Sequence, residues 1–118
     1  MNKGFESVSP FFAVTDVVAA IDFYCGSLGF ELGWKWGEPP THGNVCRDNV
    51  SISFSSASPG QGFSSVFVEV KDVEAFHKEL LTKKIKVGSL EKRDYGMTDF
   101  LVVDPWENRL VFGQAIEN

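Results

Sequence analysis

Two stretches of the chain carry the same order of apolar and polar positions. Phe11-Phe12-Ala13-Val14-Thr15-Asp16-Val17 is matched by Phe67-Val68-Glu69-Val70-Lys71-Asp72-Val73, an offset of 56 residues. Each reads as a strand that ends at an aspartate, which makes the chain an internal repeat. After each aspartate the apolar spacing changes to three or four: Val17, Ala20, Ile21 and Tyr24 in the first copy, Val73, Phe76 and Leu80 in the second. That spacing predicts a helix with one buried stripe. Asp16 and Asp72 stand where an N-cap belongs, with carboxylates placed to accept the orphan N–H groups of the first helical turn. They are read as structural.

Gly26 and Gly29 close the first helix, and residues 30–36, 43–47 and 50–55 read as three strands, with Glu38-Pro39-Pro40-Thr41-His42 as a loop. In the second copy the strands fall at 85–90, 98–103 and 109–113, with Asp104-Pro105-Trp106-Glu107-Asn108 as the last turn. The small, polar run Ser55-Ser56-Ala57-Ser58-Pro59-Gly60-Gln61-Gly62 connects the halves. The expected fold is α+β, one domain over residues 1–118. Two tandem βαβββ repeats, about 7–56 and 63–114, form curved mixed sheets around a cavity, with the helices on the convex side.

Composition narrows the function classes. The chain has 118 residues, 43% of them hydrophobic and 14% aromatic, enough for one core. Its apolar runs are far shorter than the roughly 20 residues of a membrane span, and its first residues lack a leader pattern, so the cytoplasm is the expected location. Cys25 and Cys46 show no paired spacing and are read as buried thiols rather than as a disulfide or zinc site. A net charge of −5 argues against nucleic acid and in favour of a cationic ligand.

Several local motifs occur in a fixed order: Asp16 with Phe23-Tyr24 and Leu28-Gly29-Phe30, then Trp36-Gly37-Glu38-Pro39-Pro40-Thr41, then Tyr95-Gly96-Met97, then Asp104-Pro105 with Asn108 before Phe112. Together they resemble the vicinal oxygen chelate superfamily, which holds glyoxalase I, extradiol dioxygenases and the bleomycin-resistance proteins. The metal-dependent members place His or Glu ligands at four points. Carried onto this chain, those points are Ser9, Ser53, Ser65 and Val111. Three hydroxyls and an isopropyl group do not supply the three or more N, O⁻ or S⁻ donors that a catalytic divalent ion needs. No metal or other cofactor is therefore expected. Neither histidine changes this: His77 is placed on the solvated edge of the second helix and His42 in a loop at the cavity rim. No Ser-His-Asp set, phosphate-cradling glycine loop or activated cysteine is present either.

Without a metal, the resemblance implies the bleomycin-resistance branch: a homodimer whose interface grooves sequester a large, flat, cationic drug and so confer antibiotic resistance. The alternative is a glyoxalase- or dioxygenase-like lyase or isomerase with an atypical metal site. Sequestration requires aromatic faces and carboxylates. Trp34 and Trp36, alternating with Leu32, give one strand an aromatic face; Tyr95 sits at the family's groove position, and Phe11 and Phe67 share the cavity parity of the two first strands. Aromatic residues also pack cores and dimer contacts, so that reading stands beside ligand binding. His42 completes the candidates at the rim, and Glu38, Asp48 and Asp99 are the acidic ones, with Asp99 and Glu69 as an acid/base pair if chemistry occurs. Glu107 takes a turn position that is commonly glycine in the family, which predicts strain if the turn needs positive φ.

Overall fold

The computed structural model describes residues 4–56 and 63–116. The first half runs β1 (Phe11–Ala13), α1 (Val17–Leu28), β2 (Glu31–Trp36), β3 (His42–Arg47) and β4 (Val50–Ser55). The second runs β5 (Ser65–Glu69), α2 (Val73–Leu81), β6 (Glu91–Lys92), β7 (Met97–Val103) and β8 (Arg109–Ala115). Each half is a four-stranded mixed sheet, ordered β1-β4-β3-β2 and β5-β8-β7-β6. In both, the first strand lies parallel to the last while the other neighbours are antiparallel. The repeat thus forms the tandem βαβββ α+β architecture expected of it. Residues 57–62 of the expected connector lie outside the described residues.

The caps form as the sequence requires. Asp16 Oδ1 accepts the Ala19 N–H and Asp72 Oδ1 the Ala75 N–H, each at 3.1 Å. Gly29 ends α1 at φ 75°, a left-handed conformation that costs glycine no Cβ clash. Strand alternation sends Phe12, Val14, Phe54, Val68, Phe100 and Phe112 into the layer between sheets and helices, where all are buried. Phe11 and Phe67 point the other way and stay about half exposed.

Three local expectations are corrected. Residues 85–90 form no strand beyond a single bridge between Val87 and Val102; the strand comes later and is short, at Glu91–Lys92. His77 explains part of this. It is half-buried rather than solvated, its Nε2 lies 2.9 Å from the Gly88 carbonyl oxygen, and its ring meets Phe100 edge-on at 4.7 Å. The imidazole ties this segment to α2. Cys25 and Cys46 are free but only half-buried.

The halves are joined by the turn after β7. Asp104, 4% exposed, accepts the backbone N–H groups of Trp106 and Asn108 on one oxygen, and the Tyr24 hydroxyl at 2.8 Å and the Asn108 side-chain amide at 3.0 Å on the other. Asn108 reaches on to the Ala13 carbonyl, and the Trp106 indole donates to Thr15 Oγ1 at 2.7 Å. Burial, and then the adjacent Asp104 charge and hydrogen bond, hold the Tyr24 phenol far above its ordinary pKa. Tyr24 therefore stays a neutral donor at any physiological pH. Glu107 sits at φ 73°, the strained position that the sequence foreshadowed.

Asp104→Ala is expected to cost about 3 kcal/mol, because it leaves several buried donors without an acceptor. A fall in the urea midpoint with little change in slope is the readout. Glu107→Gly should raise stability by roughly 0.5–1 kcal/mol, the left-handed penalty less glycine's own entropic cost, in the same assay.

Candidate functional site

On the face of the first sheet away from α1, the pairing register lines up the side chains. Phe11 pairs with Ser53, Ser53 with Asn44, and Asn44 with Trp34; one step along, Ser55 pairs with His42 and His42 with Trp36. The order depends on a bulge between Leu32 and Trp34, where the register against β3 shifts. Leu32 pairs with the fully buried Val45 and so belongs to the helix side. This corrects the expectation that Leu32, Trp34 and Trp36 share one face, since strict alternation fails across the bulge. Gly33 occupies the bulge because a Cβ there would collide with the Asn44 side-chain carbonyl.

His42 begins β3 rather than ending a loop. Its ring stands edge-on to Phe11 at 6.4 Å and to Trp36 at 5.9 Å, and its Nδ1 lies 3.0 Å from Thr41 Oγ1. Phe11, His42 and Trp36 form a continuous row, and Trp36 remains 68% exposed. Glu38 is exposed in the turn that follows, which closes with the Thr41 N–H on the Trp36 carbonyl at 2.9 Å. Gly37 takes φ 105° there, with the backbone of Pro39 and Thr41 packed where a side chain would go.

The second sheet presents Phe67 and Tyr95. Gly113, opposite Asp99, leaves room for the Phe67 ring, which would collide with any Cβ at that position. Asp99 is 1% exposed, and both its oxygens are taken: Arg93 Nε donates at 2.8 Å and the Tyr95 hydroxyl at 2.9 Å. The carboxylate is committed to its neighbours rather than offered to a ligand, so it acts by fixing the Tyr95 ring, itself 70% exposed. The hydrogen bond to Asp99, more than any other influence, raises the Tyr95 pKa. Glu69 pairs across Gly113 with Asp99 but is exposed. A carboxylate already accepting from Arg93 and Tyr95 is a poor partner for acid/base chemistry with it.

Asp48 is not brought to this face. It lies at φ 51° in the β3–β4 turn and lines a separate cleft of about 730 Å³ between the halves, with Phe30, Arg47, Val50, Phe76 and Glu79. Arg47 there bonds the Leu28 carbonyl, pairs with Glu79 at 3.3 Å and covers the Phe76 ring.

Of the four positions that bind metal in the metal-dependent proteins the sequence resembles, Ser9 and Ser53 meet each other at 2.8 Å, while Ser65 and Val111 lie on β5 and β8. The donor set does not fit a divalent cation, because three neutral hydroxyls neither balance its charge nor ligate it strongly. Among the described residues no group of three or more His, Cys, Asp or Glu side chains is arranged to hold a metal. No described helix is long and apolar enough to cross a membrane.

A family model described as "Glyoxalase superfamily protein" matches residues 1–118. No curated protein sequence matches the chain. Among solved structures, TioX from Micromonospora sp. ML1 superposes with a TM-score of 0.83 at 18% identity, covering 95% of this chain and 100% of that one. The bleomycin-binding protein from bleomycin-producing Streptomyces verticillus, complexed with copper(II)-bleomycin, gives 0.79 at 24% identity, covering 99% and 100%. Lactoylglutathione lyase from Agrobacterium tumefaciens gives 0.75 at 15%, covering 95% and 96%. The one fold thus carries both binding proteins and an enzyme.

The Tyr95–Asp99 bond holds only while the phenol keeps its proton, and it is lost as the pH rises through the raised pKa. Asp99→Asn should bring the Tyr95 titration down toward the ordinary phenol value, read by ultraviolet or NMR titration. An unchanged titration would show that the bond does not form.

Proposed function

The chain belongs to the glyoxalase superfamily, and on that premise we propose that it is a metal-free binding protein that sequesters a flat, cationic aromatic ligand. The observation that carries this reading is the exposed row Phe11–His42–Trp36, with Trp34 beside it, on a sheet face whose family metal positions are serines. Ring faces attract a flat cation by stacking and by cation–π contact, each worth about 1 kcal/mol. The chain's net charge of −5 raises the local concentration of such a ligand, and Glu38 lies next to the row.

The proposal includes a homodimer. Phe11, Phe67, Trp36 and Tyr95 are each more than half exposed, more aromatic surface than a monomer ordinarily leaves to water. A second copy laid over these faces turns two open sheets into a groove, with Tyr95 and Phe67 as further ligand contacts. The likeness to the S. verticillus protein supports a bleomycin-like ligand, and a similar likeness to a bleomycin resistance determinant encoded on the transposon Tn5 supports a role in antibiotic resistance. Two free cysteines support a reducing, cytoplasmic location.

Binding without turnover is the functional signature. Calorimetric titration with metal-free bleomycin should show about one ligand per chain, weakening at high salt. Trp36→Ala and Tyr95→Ala should each lower affinity about tenfold while leaving the unfolding midpoint in place. No heat with the wild-type protein, together with stoichiometric bound metal and metal-dependent turnover, would return the chain to the lyase or dioxygenase reading.

A further inference from the structure

The cleft of about 730 Å³ between the halves lies away from the aromatic row. Val68 and Phe112, partners in the β5–β8 register, line it together with Phe76 of α2 and Phe30 ahead of β2, and all four are buried. Val68 alternates with Phe67 along β5, so this floor belongs to the helix side of the second sheet, opposite the face that carries Phe67. Val50, Val70 and Ala75 add apolar walls that stay partly or fully open to solvent. A concavity of this size, with an apolar floor supplied by two halves of a fold, has the form of a small-molecule site.

Its charges are unbalanced. Arg47 and Lys71 stand against Asp48, Glu69, Asp72 and Glu79, four carboxylates to two cations. Arg47 is already engaged: it donates to the Leu28 carbonyl, pairs with Glu79 at 3.3 Å and lies over the Phe76 ring. Asp72 accepts the Ala75 N–H as the cap of α2. Asp48, in the β3–β4 turn, and Glu69, on the outer strand of the second sheet, are exposed. Among the described residues neither has an ion-pair partner. The excess of carboxylate favours a cation over an anion. Because the guanidinium of Arg47 occupies the face of Phe76, the cleft offers apolar walls rather than that ring for stacking.

We propose that this cleft is a second ligand site, separate from the aromatic row, for a compact aliphatic ammonium ion. The apolar body of the ligand covers Val50, Val70 and Ala75, and its charge is balanced by Asp48 from the first half and Glu69 from the second. Lys71 opposes it and sets an upper limit on the attraction. The two sites thus differ in ligand class: the row takes a flat aromatic cation, the cleft a rounded aliphatic one.

Adamantan-1-amine, adamantan-1-ol and adamantane-1-carboxylate test this, since one apolar cage carries a cation, no charge or an anion at neutral pH. Each is titrated at low salt into protein labelled with ¹³C at its methyls and with ¹⁵N, following the Val50, Val70 and Ala75 methyls and the Trp34 and Trp36 indoles. The amine should shift the cleft methyls, leave the indoles in place and bind about tenfold more tightly than the carboxylate, with the alcohol between them. Asn tolerates the left-handed φ of 51° at position 48, and Glu69 is exposed, so Asp48→Asn and Glu69→Gln should both fold. Each should weaken the amine about threefold, and Lys71→Gln should tighten it about twofold. Equal affinities for the three probes, or indole shifts with silent cleft methyls, would overturn the site and leave the aromatic row standing. Cleft methyls that shift with protein concentration alone, and then no longer respond to the amine, would place a second copy there and overturn it as well.

Discussion

One buried carboxylate holds the two halves together. Asp104 belongs to the second half, yet its oxygens take the hydroxyl of Tyr24, which lies at the centre of the first core, and the amide and backbone of Asn108, which in turn reaches the Ala13 carbonyl at the end of β1. A buried charge is tolerated where every lone pair has a donor, and here four donors converge. The geometry demands a turn tight enough to bring Trp106 and Asn108 back onto Asp104. Glu107 adopts its left-handed conformation in that turn. The two halves are therefore tied at that turn, with Phe11 and Phe67 on equivalent exposed positions of the two first strands.

The candidate face is built by small devices acting on that frame. A bulge at Gly33 turns Trp34 to the side of Asn44 and Leu32 to the other, and Gly113 opens the space that the Phe67 ring fills. The two halves have diverged chemically while keeping one backbone plan. The first places neutral hydroxyls and an amide under its aromatic row; the second places an ion pair, Arg93 with Asp99, under a tyrosine. In each case the polar groups are tied down before any ligand arrives, which lowers the ordering cost of binding.

Much of this was legible in the chain itself. The 56-residue offset, the helical spacing after each aspartate and the two N-caps follow from local chemistry, since period and capping depend on neighbours a few residues away. The same holds for the inward and outward parity of Phe11, Phe12, Phe67 and Val68 on regular strands, and for the strain at Glu107. Strand 85–90 and the solvated His77 failed for a common reason, because the imidazole–carbonyl contact that joins them spans 11 residues and has no local signature.

The sequence by itself determined the repeat, the fold class, the residues that cap and fill each half, and the serines that stand where relatives hold a metal. Only the tertiary structure decided which of the candidate residues work together. It moved Leu32 off the aromatic face, sent Asp48 to a different cleft, committed Asp99 to Arg93 and Tyr95, and gathered Ser9, Ser51 and Ser53 around Asn44. The physical reason is that periodicity assigns a side chain to a face, whereas its partners depend on register, bulges and hydrogen bonds between residues far apart in the chain.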